Sequence, residues 1–363
     1  MKKKVLIGIS GGVDSAVSAF LLKEAGFEVH GIYLKLFDQV NSNRSRKSSQ
    51  AVADFLDIEW TELDFRKKFS TKIIDHFTQA YLNGLTPNPC VRCNKFIKSA
   101  LFWDFAKKLG SDFIATGHYA KTNNGKLFRG IDRKKDQSYF LYRLTSHQLQ
   151  HTMFPIGDMT KKSVRKFAHE HDIPILNIKE SNEVCFMQEV SMRNYLEDRL
   201  GTRTGEIIDI NTEEKVGKHD GIWFFTIGQR RGIGIGGASK PYYVIKKDSA
   251  QNILYVTSDK SDLGTKTVKI ADLRFNAEPA SEASLNSLEL SGAIRYGMKP
   301  VPITQIKIDK QGNSATISFE SEVLAPAAGQ SLVIYSDEQC LGGGIIYQNA
   351  DYAQQNGGAK TKS

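Results

Sequence analysis

The chain has 363 residues but only four cysteines, nine prolines and no long apolar run. Four cysteines in a chain this long do not make a disulfide framework, so each must be read by itself. No apolar stretch reaches the roughly 20 residues that span a bilayer. Lys2-Lys3-Lys4 and the apolar residues after it imitate the start of a signal peptide. The apolar part stops at Ser10-Gly11-Gly12, too short for the core of a signal. These absences predict a cytoplasmic protein with no membrane partner. A Gly-Lys-Ser or Gly-Lys-Thr phosphate loop is also missing, so γ-phosphate transfer is the less expected chemistry. No internal repeat is present.

What is there is ordinary for a globular protein: 40% apolar and 25% charged residues. The length suggests two or three domains. A formal net charge of +9 and a pI near 9.1 lean toward a polyanionic partner.

The most informative stretch is Ser10-Gly11-Gly12-Val13-Asp14-Ser15. Before it, Val5 to Ile9 reads as a buried strand. After it, Ala16 to Gly26 reads as a helix stopped by glycine. A tight glycine turn from strand to helix gathers backbone N–H groups at the positive end of the helix dipole, which suits phosphate. Ser10 and Ser15 add hydroxyls, and Asp14 has the chemistry of a helix cap or a metal ligand.

Strand and helix signals alternate onward. Strands are expected at 28–36, 58–63 and 112–116, and helices at 48–56, 69–81 and 94–109, with a polar, basic loop over 38–47. That alternation predicts an α/β, Rossmann-like parallel sheet covered on both faces. Ligands in such sheets bind beyond the carboxyl ends of the strands. Ser10–Ser15, Leu34 and Gly117-His118 therefore surround one crevice. Asn124-Gly125 predicts a small hairpin over 121–130. Helical stretches are expected at 136–143, 160–171 and 191–200. Past Thr202 short alternating runs dominate, with strands expected at 205–209 and 222–226. From Lys266 onward they suggest a small β-barrel or sandwich. The shifts divide the chain into an α/β catalytic domain (1–202), a small β-rich central domain (203–265), a C-terminal β-barrel (266–350) and a disordered tail (351–363).

Cys90 and Cys93 lie where a turn enters a helix, and Cys185 lies in a second turn. A thiol at a helix N-terminus is expected to be acidified, further so by Arg92 and Lys95. Cys340, in strand-like surroundings, reads as a small buried hydrophobe. Two cysteines alone do not complete a zinc site.

Six strings occur in order: Ser10 to Ser15, Thr86-Pro87-Asn88-Pro89-Cys90-Val91-Arg92-Cys93-Asn94-Lys95-Phe96-Ile97-Lys98, Ala115 to Ala120, Lys135 to Leu141, Phe225 to Gly232, and Cys340 to Ile346. The first resembles the PP-motif of the ATP pyrophosphatases, which cleave ATP to AMP and pyrophosphate. Together they resemble the tRNA-specific 2-thiouridylase (MnmA/TrmU) family.

The resemblance implies sulfur insertion into the wobble uridine of the lysine, glutamate and glutamine tRNAs, with ATP and Mg²⁺. It implies Cys93 as nucleophile and Cys185 as bearer of the persulfide, closing a cycle through a disulfide. It implies ATP contacts at Gly8, Ile9, Ser10, Gly11, Gly12, Val13, Asp14, Ser15, Leu34 and Gly117. Asn88, Pro89 and Cys90 would meet the target base. His118, Lys135, Asp136, Gln137, Arg295, Tyr296 and Gln330 would contact tRNA. The partners implied are tRNA and a persulfide sulfur donor, a cysteine desulfurase or a relay protein.

The chain departs from the family pattern in three places, one of them the region from Phe37 to Ser49, which is shorter and more basic than is common and reads as an RNA contact or a plain loop. Some members carry an aspartate where Cys90 stands, a general base whose role is here unfilled or belongs to another group. Residues 180–184 also differ from the small, flexible Asp-Ser-Thr-Gly-Ile pattern usual there. The third cysteine motivates another reading, in which Cys90, Cys93 and Cys185 ligate a [4Fe–4S] cluster. Two other functions compete: a PP-motif enzyme adenylating a small acid or amide, and a non-catalytic tRNA-binding protein with a relic ATP loop. The paired cysteine turns oppose the first, and the intact loop opposes the second.

Overall fold

The computed structural model describes residues 2–38, 42–175, 184–187, 190–237, 240–276 and 281–348. The expected tail over 351–363 and the divergent residues 180–183 lie outside these.

The first unit is a parallel sheet. Its strands are β1 (Lys4–Gly8), β2 (Glu28–Lys35), β3 (Glu59–Asp64), β4 (Phe113–Ala115) and, beyond a hairpin of β5 (Ala120–Asn123) and β6 (Lys126–Arg129), β7 (Thr152–Met153). The order is β3-β2-β1-β4-β7, and all four pairings are parallel. Val5, Leu6 and Ile7 on the central strand are fully buried. Val5 and Ile7 pack against the helix Val13–Glu24, while Leu6 packs with Phe102 and Trp103 on the other face. A strand covered on both sides needs this unbroken apolar run. The expected α/β sheet is therefore present.

The second unit is a four-stranded sheet of β8 (Gly205–Asp209), β9 (Lys215–His219), β10 (Tyr243–Asp248) and β11 (Ile253–Thr257). The third comprises β12 (Gly264–Phe275), β13 (Leu290–Ala293), β14 (Val301–Ile308), β15 (Ser314–Leu324), β16 (Ser331–Ser336) and β17 (Gln339–Tyr347). β12 pairs with both β15 and β17. The six strands thus close into an antiparallel barrel around Ile270, Ile317, Leu332 and Ile334. The hairpin of the first unit joins the barrel wall, Leu127 opposite Cys340. Cys340 is fully buried in the seam beside Leu127 and Tyr142, as a small hydrophobe.

Three local expectations fail for physical reasons. The helix expected from Ser48 starts at Ser42 and takes in most of the predicted loop. Arg46 holds its early part to β3 by pairing with Glu62 and lying over the Trp60 ring. Ile222–Phe224 is a single helical turn, not a strand. Ile222 and Trp223 are consecutive yet both buried against Phe77 and Tyr81, which strand alternation forbids. The helix expected over 136–143 is only Ser138–Leu141, because the Asp136 carboxylate accepts from the Gly130 and Ser138 nitrogens and bends the chain.

Candidate active site

The phosphate loop sits at the carboxyl end of β1. Gly12 is the N-cap of the helix Val13–Glu24, in extended geometry and without a side-chain bond, so Asp14 does not cap it. The loop is folded on itself. The Ser10 nitrogen donates to the Ser15 hydroxyl at 3.1 Å, and that hydroxyl donates to the Gly12 carbonyl at 2.9 Å. Gly11 has φ +85°, and a Cβ there would stand 2.5 Å from the Ser45 carbonyl oxygen. Ser48 donates to the Gly11 carbonyl at 2.9 Å. The helix Ser42–Phe55 therefore roofs the loop and requires glycine beneath it. From β4, Gly117 approaches so closely that a Cβ would lie 2.7 Å from the Ser15 nitrogen. Leu34 packs beside Leu63 and Trp103 at the end of β2. Gly8 to Ser15, Leu34 and Gly117 thus meet at one end of the sheet, as strand order required.

Asp14 is held by two residues the sequence reading had left without a role. The Tyr119 hydroxyl donates to it at 2.6 Å, and the Lys161 ammonium to both its oxygens at 2.8 Å. Lys161 opens the helix Lys161–Glu170, whose first turn holds no acid. A cation there opposes the helix dipole by about 0.3–1 kcal/mol. That misplaced charge was the signal in the sequence: a lysine at that position needs a carboxylate elsewhere. Both Asp14 oxygens already hold the Lys161 ammonium, so a Mg²⁺ arriving with the nucleotide would be held chiefly by the substrate phosphates.

The cysteines form a different environment. Asn88 caps a helix at Pro89–Cys93, its side chain accepting from the Val91 nitrogen at 3.4 Å. The helix continues in π geometry over Asn94–Leu101 and as an α-helix over Phe102–Lys108. Such π segments recur at functional sites. Cys93 is 6% exposed in an apolar cluster with Phe69, Ile73 and Ile97, and Cys185 packs against the same cluster. Residues from two distant parts of the chain meet there. All four cysteines are free thiols.

The expected acid thiols are not observed. Burial pushes the Cys93 thiol up to about 12 and Cys185 up to about 11, and raises Cys90 as well. Desolvation of a thiolate outweighs the nearby charge. The positive charge that opposes this burial is Lys98, not Arg92 or Lys95. A cluster reading needs three converging thiolates. Among the described residues no three His, Cys, Asp or Glu side chains gather closely enough to hold a metal ion.

The expected RNA contacts divide into two kinds. Arg295 and Tyr296 are exposed, and the Tyr296 ring lies 4.4 Å from Phe140, which offers an aromatic face beside a cation. Lys135 is half-buried. The others are turned inward. Asp136 is buried and accepts from Arg129 at 2.9 Å. Gln137 accepts from the Tyr119 nitrogen at 3.0 Å. Gln330 donates to the Thr86 carbonyl at 2.9 Å, and so holds the entry to the cysteine helix against the barrel. His118 meets Thr116 at 2.7 Å, and burial keeps it well below the usual histidine range. It is neutral at pH 7 and brings no charge to a phosphate. A cavity beside Asn88, between this helix and the barrel, is lined by His76, Arg92, Tyr142 and Arg143.

A parallel sheet ending in a Ser-Gly-Gly-Val-Asp-Ser phosphate loop defines a PP-loop nucleotide-binding protein. Three family models match in succession: the tRNA methyl transferase HUP domain over residues 3–189, the tRNA methyl transferase PRC-barrel domain over 193–258 and the aminomethyltransferase beta-barrel domain over 265–346. The tRNA-specific 2-thiouridylase MnmA of Mycoplasma mycoides is 37% identical, covering 95% of this chain and 99% of its own length. That of Pediococcus pentosaceus is 38% identical, covering 95% of each. The chain belongs to the tRNA-specific 2-thiouridylase MnmA family. Among solved structures, the U34-tRNA thiolase NcsA from Methanococcus maripaludis with its [4Fe-4S] cluster covers 54% of this chain and 64% of its own. Identity there is 19% and the TM-score 0.36, and its cluster says nothing about this chain. No helix among the described residues is long and apolar enough to cross a membrane.

Proposed function

We propose that this chain performs ATP-dependent 2-thiolation of a tRNA uridine, at the wobble position of the lysine, glutamate and glutamine tRNAs. The observation that carries the reading is the meeting of Cys93 and Cys185 in one apolar cluster, in a chain whose first loop is built for phosphate.

The chemistry divides between the two places. A uracil C2 oxygen is a poor leaving group. Its attack on the α-phosphorus of ATP forms an O–P bond and releases pyrophosphate, which the Ser10–Ser15 nitrogens and hydroxyls hold. Mg²⁺ bound with the nucleotide offsets its charge. A persulfide on Cys185, loaded by a sulfur donor, then attacks C2 through its terminal sulfur, and AMP departs with the former carbonyl oxygen. The Cys93 thiolate attacks the inner sulfur, which frees the 2-thiouridine and leaves a Cys93–Cys185 disulfide. A cellular thiol supplies the two electrons that reopen it. Water exclusion around Phe69, Ile73 and Ile97 protects the activated carbon from hydrolysis. Asn88, Pro89 and Cys90 begin the helix that carries Cys93, and so would stand beside the base.

The domain division at 202/203 and 265/266 follows from the same reading, with β8–β11 and the barrel as RNA-facing units. Incubation with ATP, Mg²⁺, a persulfide donor and unmodified tRNA, followed by nucleoside analysis, tests the function. Wild type should yield 2-thiouridine, and Cys93→Ser and Cys185→Ser none. Product from Cys185→Ser at the wild-type rate would remove that residue from the mechanism.

A further inference from the structure

Tyr119 and Lys161 share an unusual arrangement. Each grips Asp14 with its side chain and the segment 132–137 with its backbone. The Tyr119 hydroxyl donates to Asp14 at 2.6 Å. Its backbone nitrogen donates to the Gln137 side chain at 3.0 Å, and its carbonyl accepts from the Gln137 nitrogen at 2.8 Å. The Lys161 ammonium donates to both Asp14 oxygens at 2.8 Å, and its backbone nitrogen donates to the Asp132 carboxylate at 2.9 Å. Asp132 in turn accepts from the Lys135 nitrogen at 2.9 Å through its carbonyl. Two separate routes thus join one carboxylate to one segment. Tyr119 is 2% exposed and Lys161 8% exposed, so the middle of each route is buried, while Asp14, Asp132 and Gln137 at the ends are partly open to solvent.

The far end of both routes faces outward and carries three cations between Asp132 and Asp136, of which Arg133 pairs with Glu338. Arg133 and Lys134 are exposed and Lys135 half-exposed. The near end is the first turn of the phosphate-binding helix. A residue serving packing alone has no need to bridge both. Short bonds anchored on two buried side chains also transmit a displacement better than fully solvated ones, because the interior has few alternative arrangements.

We propose that Tyr119 and Lys161 are positioning residues that couple the phosphate loop to the basic segment 132–137. An RNA strand docked on that segment then sets the orientation of Asp14 and tightens the binding of ATP. Linkage requires the converse, that ATP tighten the RNA by the same factor. The inference rests on the proposed function only for the identity of the polyanion.

The test is binding of a non-hydrolysable ATP analogue with Mg²⁺ to the full chain, with and without saturating unmodified tRNA. The wild type should bind the analogue about tenfold more tightly with RNA. Tyr119→Phe removes one hydroxyl and keeps the ring; the ratio should fall below about twofold, within the loss expected for one link. A purely structural role would weaken both affinities and leave their ratio intact. Lys161→Met should also lose the ratio, and Lys161→Arg should restore it. If Lys161→Met does not fold, Tyr119→Phe decides alone. A wild-type ratio in Tyr119→Phe, or a ratio of one in the wild type, overturns the proposal. A wild type that shows the ratio yet makes no 2-thiouridine overturns the proposed reaction and leaves the coupling standing.

Discussion

The phosphate loop and the cysteine cluster lie in one domain, yet they are built on opposite principles. The loop is polar and organised in advance. Its serines bond to each other and to Gly12, and Asp14 is satisfied by Tyr119 and Lys161. It meets charge with charge. The cluster is apolar and closed, and its thiols are protonated at neutral pH because burial raises them. The loop is ready for ATP; the cysteines are not ready for sulfur. The difference teaches an order of events. On the proposed mechanism, sulfur transfer requires a change around Cys93 that brings out its thiolate, whereas the loop needs no change beyond the RNA-dependent setting of Asp14.

The largest expected effect that would break this contrast concerns thiol reactivity. With Cys93 raised to about 12, its thiolate fraction near pH 7.5 lies roughly a thousandfold below that of a free cysteine. Iodoacetamide labelling of Cys93, followed by peptide mass analysis, should be slower by about that factor. A raised thiol is protonated below its pKa, so the rate should climb with each pH unit toward the raised value. Labelling at the free-cysteine rate at pH 7.5 would erase the contrast.

Next comes the loop. Gly11→Ala places a side chain at φ +85° and 2.5 Å from the Ser45 carbonyl. Backbone strain and the clash together cost on the order of 3 kcal/mol, or about a hundredfold in ATP affinity. Calorimetry should find that loss with the labelling rate of Cys93 unchanged. Loss of both would mean that the two regions are not independent.

The smallest effect sharpens the cysteine side. Lys98 carries the positive charge that opposes burial at Cys90, Cys93 and Cys185. Lys98→Gln should move all three thiols further up and slow their labelling several-fold, most visibly above pH 9. An unchanged pH profile would remove Lys98 from the site.

The same contrast governs what the sequence disclosed. The loop was legible because its chemistry is local. Six adjacent residues between a strand and a helix carry the donors, and the glycines reveal the close approach of other backbone. The parallel sheet and the barrel were legible from alternation. The thiol environment was not. A turn entering a helix suggested acidified cysteines, but the residues that bury Cys93 are Phe69, Ile73 and Cys185's neighbourhood, which no local pattern connects to it. Tyr119 was hidden likewise, and Lys161 signalled only that it needs a carboxylate, not which one: their partner Asp14 lies over a hundred residues away. The buried Asp136 and neutral His118 looked like surface contacts because sequence carries no sign of burial for a lone polar residue.

The central claim is that the loop activates the uracil oxygen and the cysteines replace it. The most direct measurement follows that oxygen. A tRNA carrying ¹⁸O at C2 of the target uridine is given to the enzyme with ATP, Mg²⁺ and a persulfide donor, and the released AMP is analysed by mass spectrometry. The account predicts one ¹⁸O in the phosphate of AMP for each 2-thiouridine formed. AMP without the label, beside the same yield of 2-thiouridine, would contradict it.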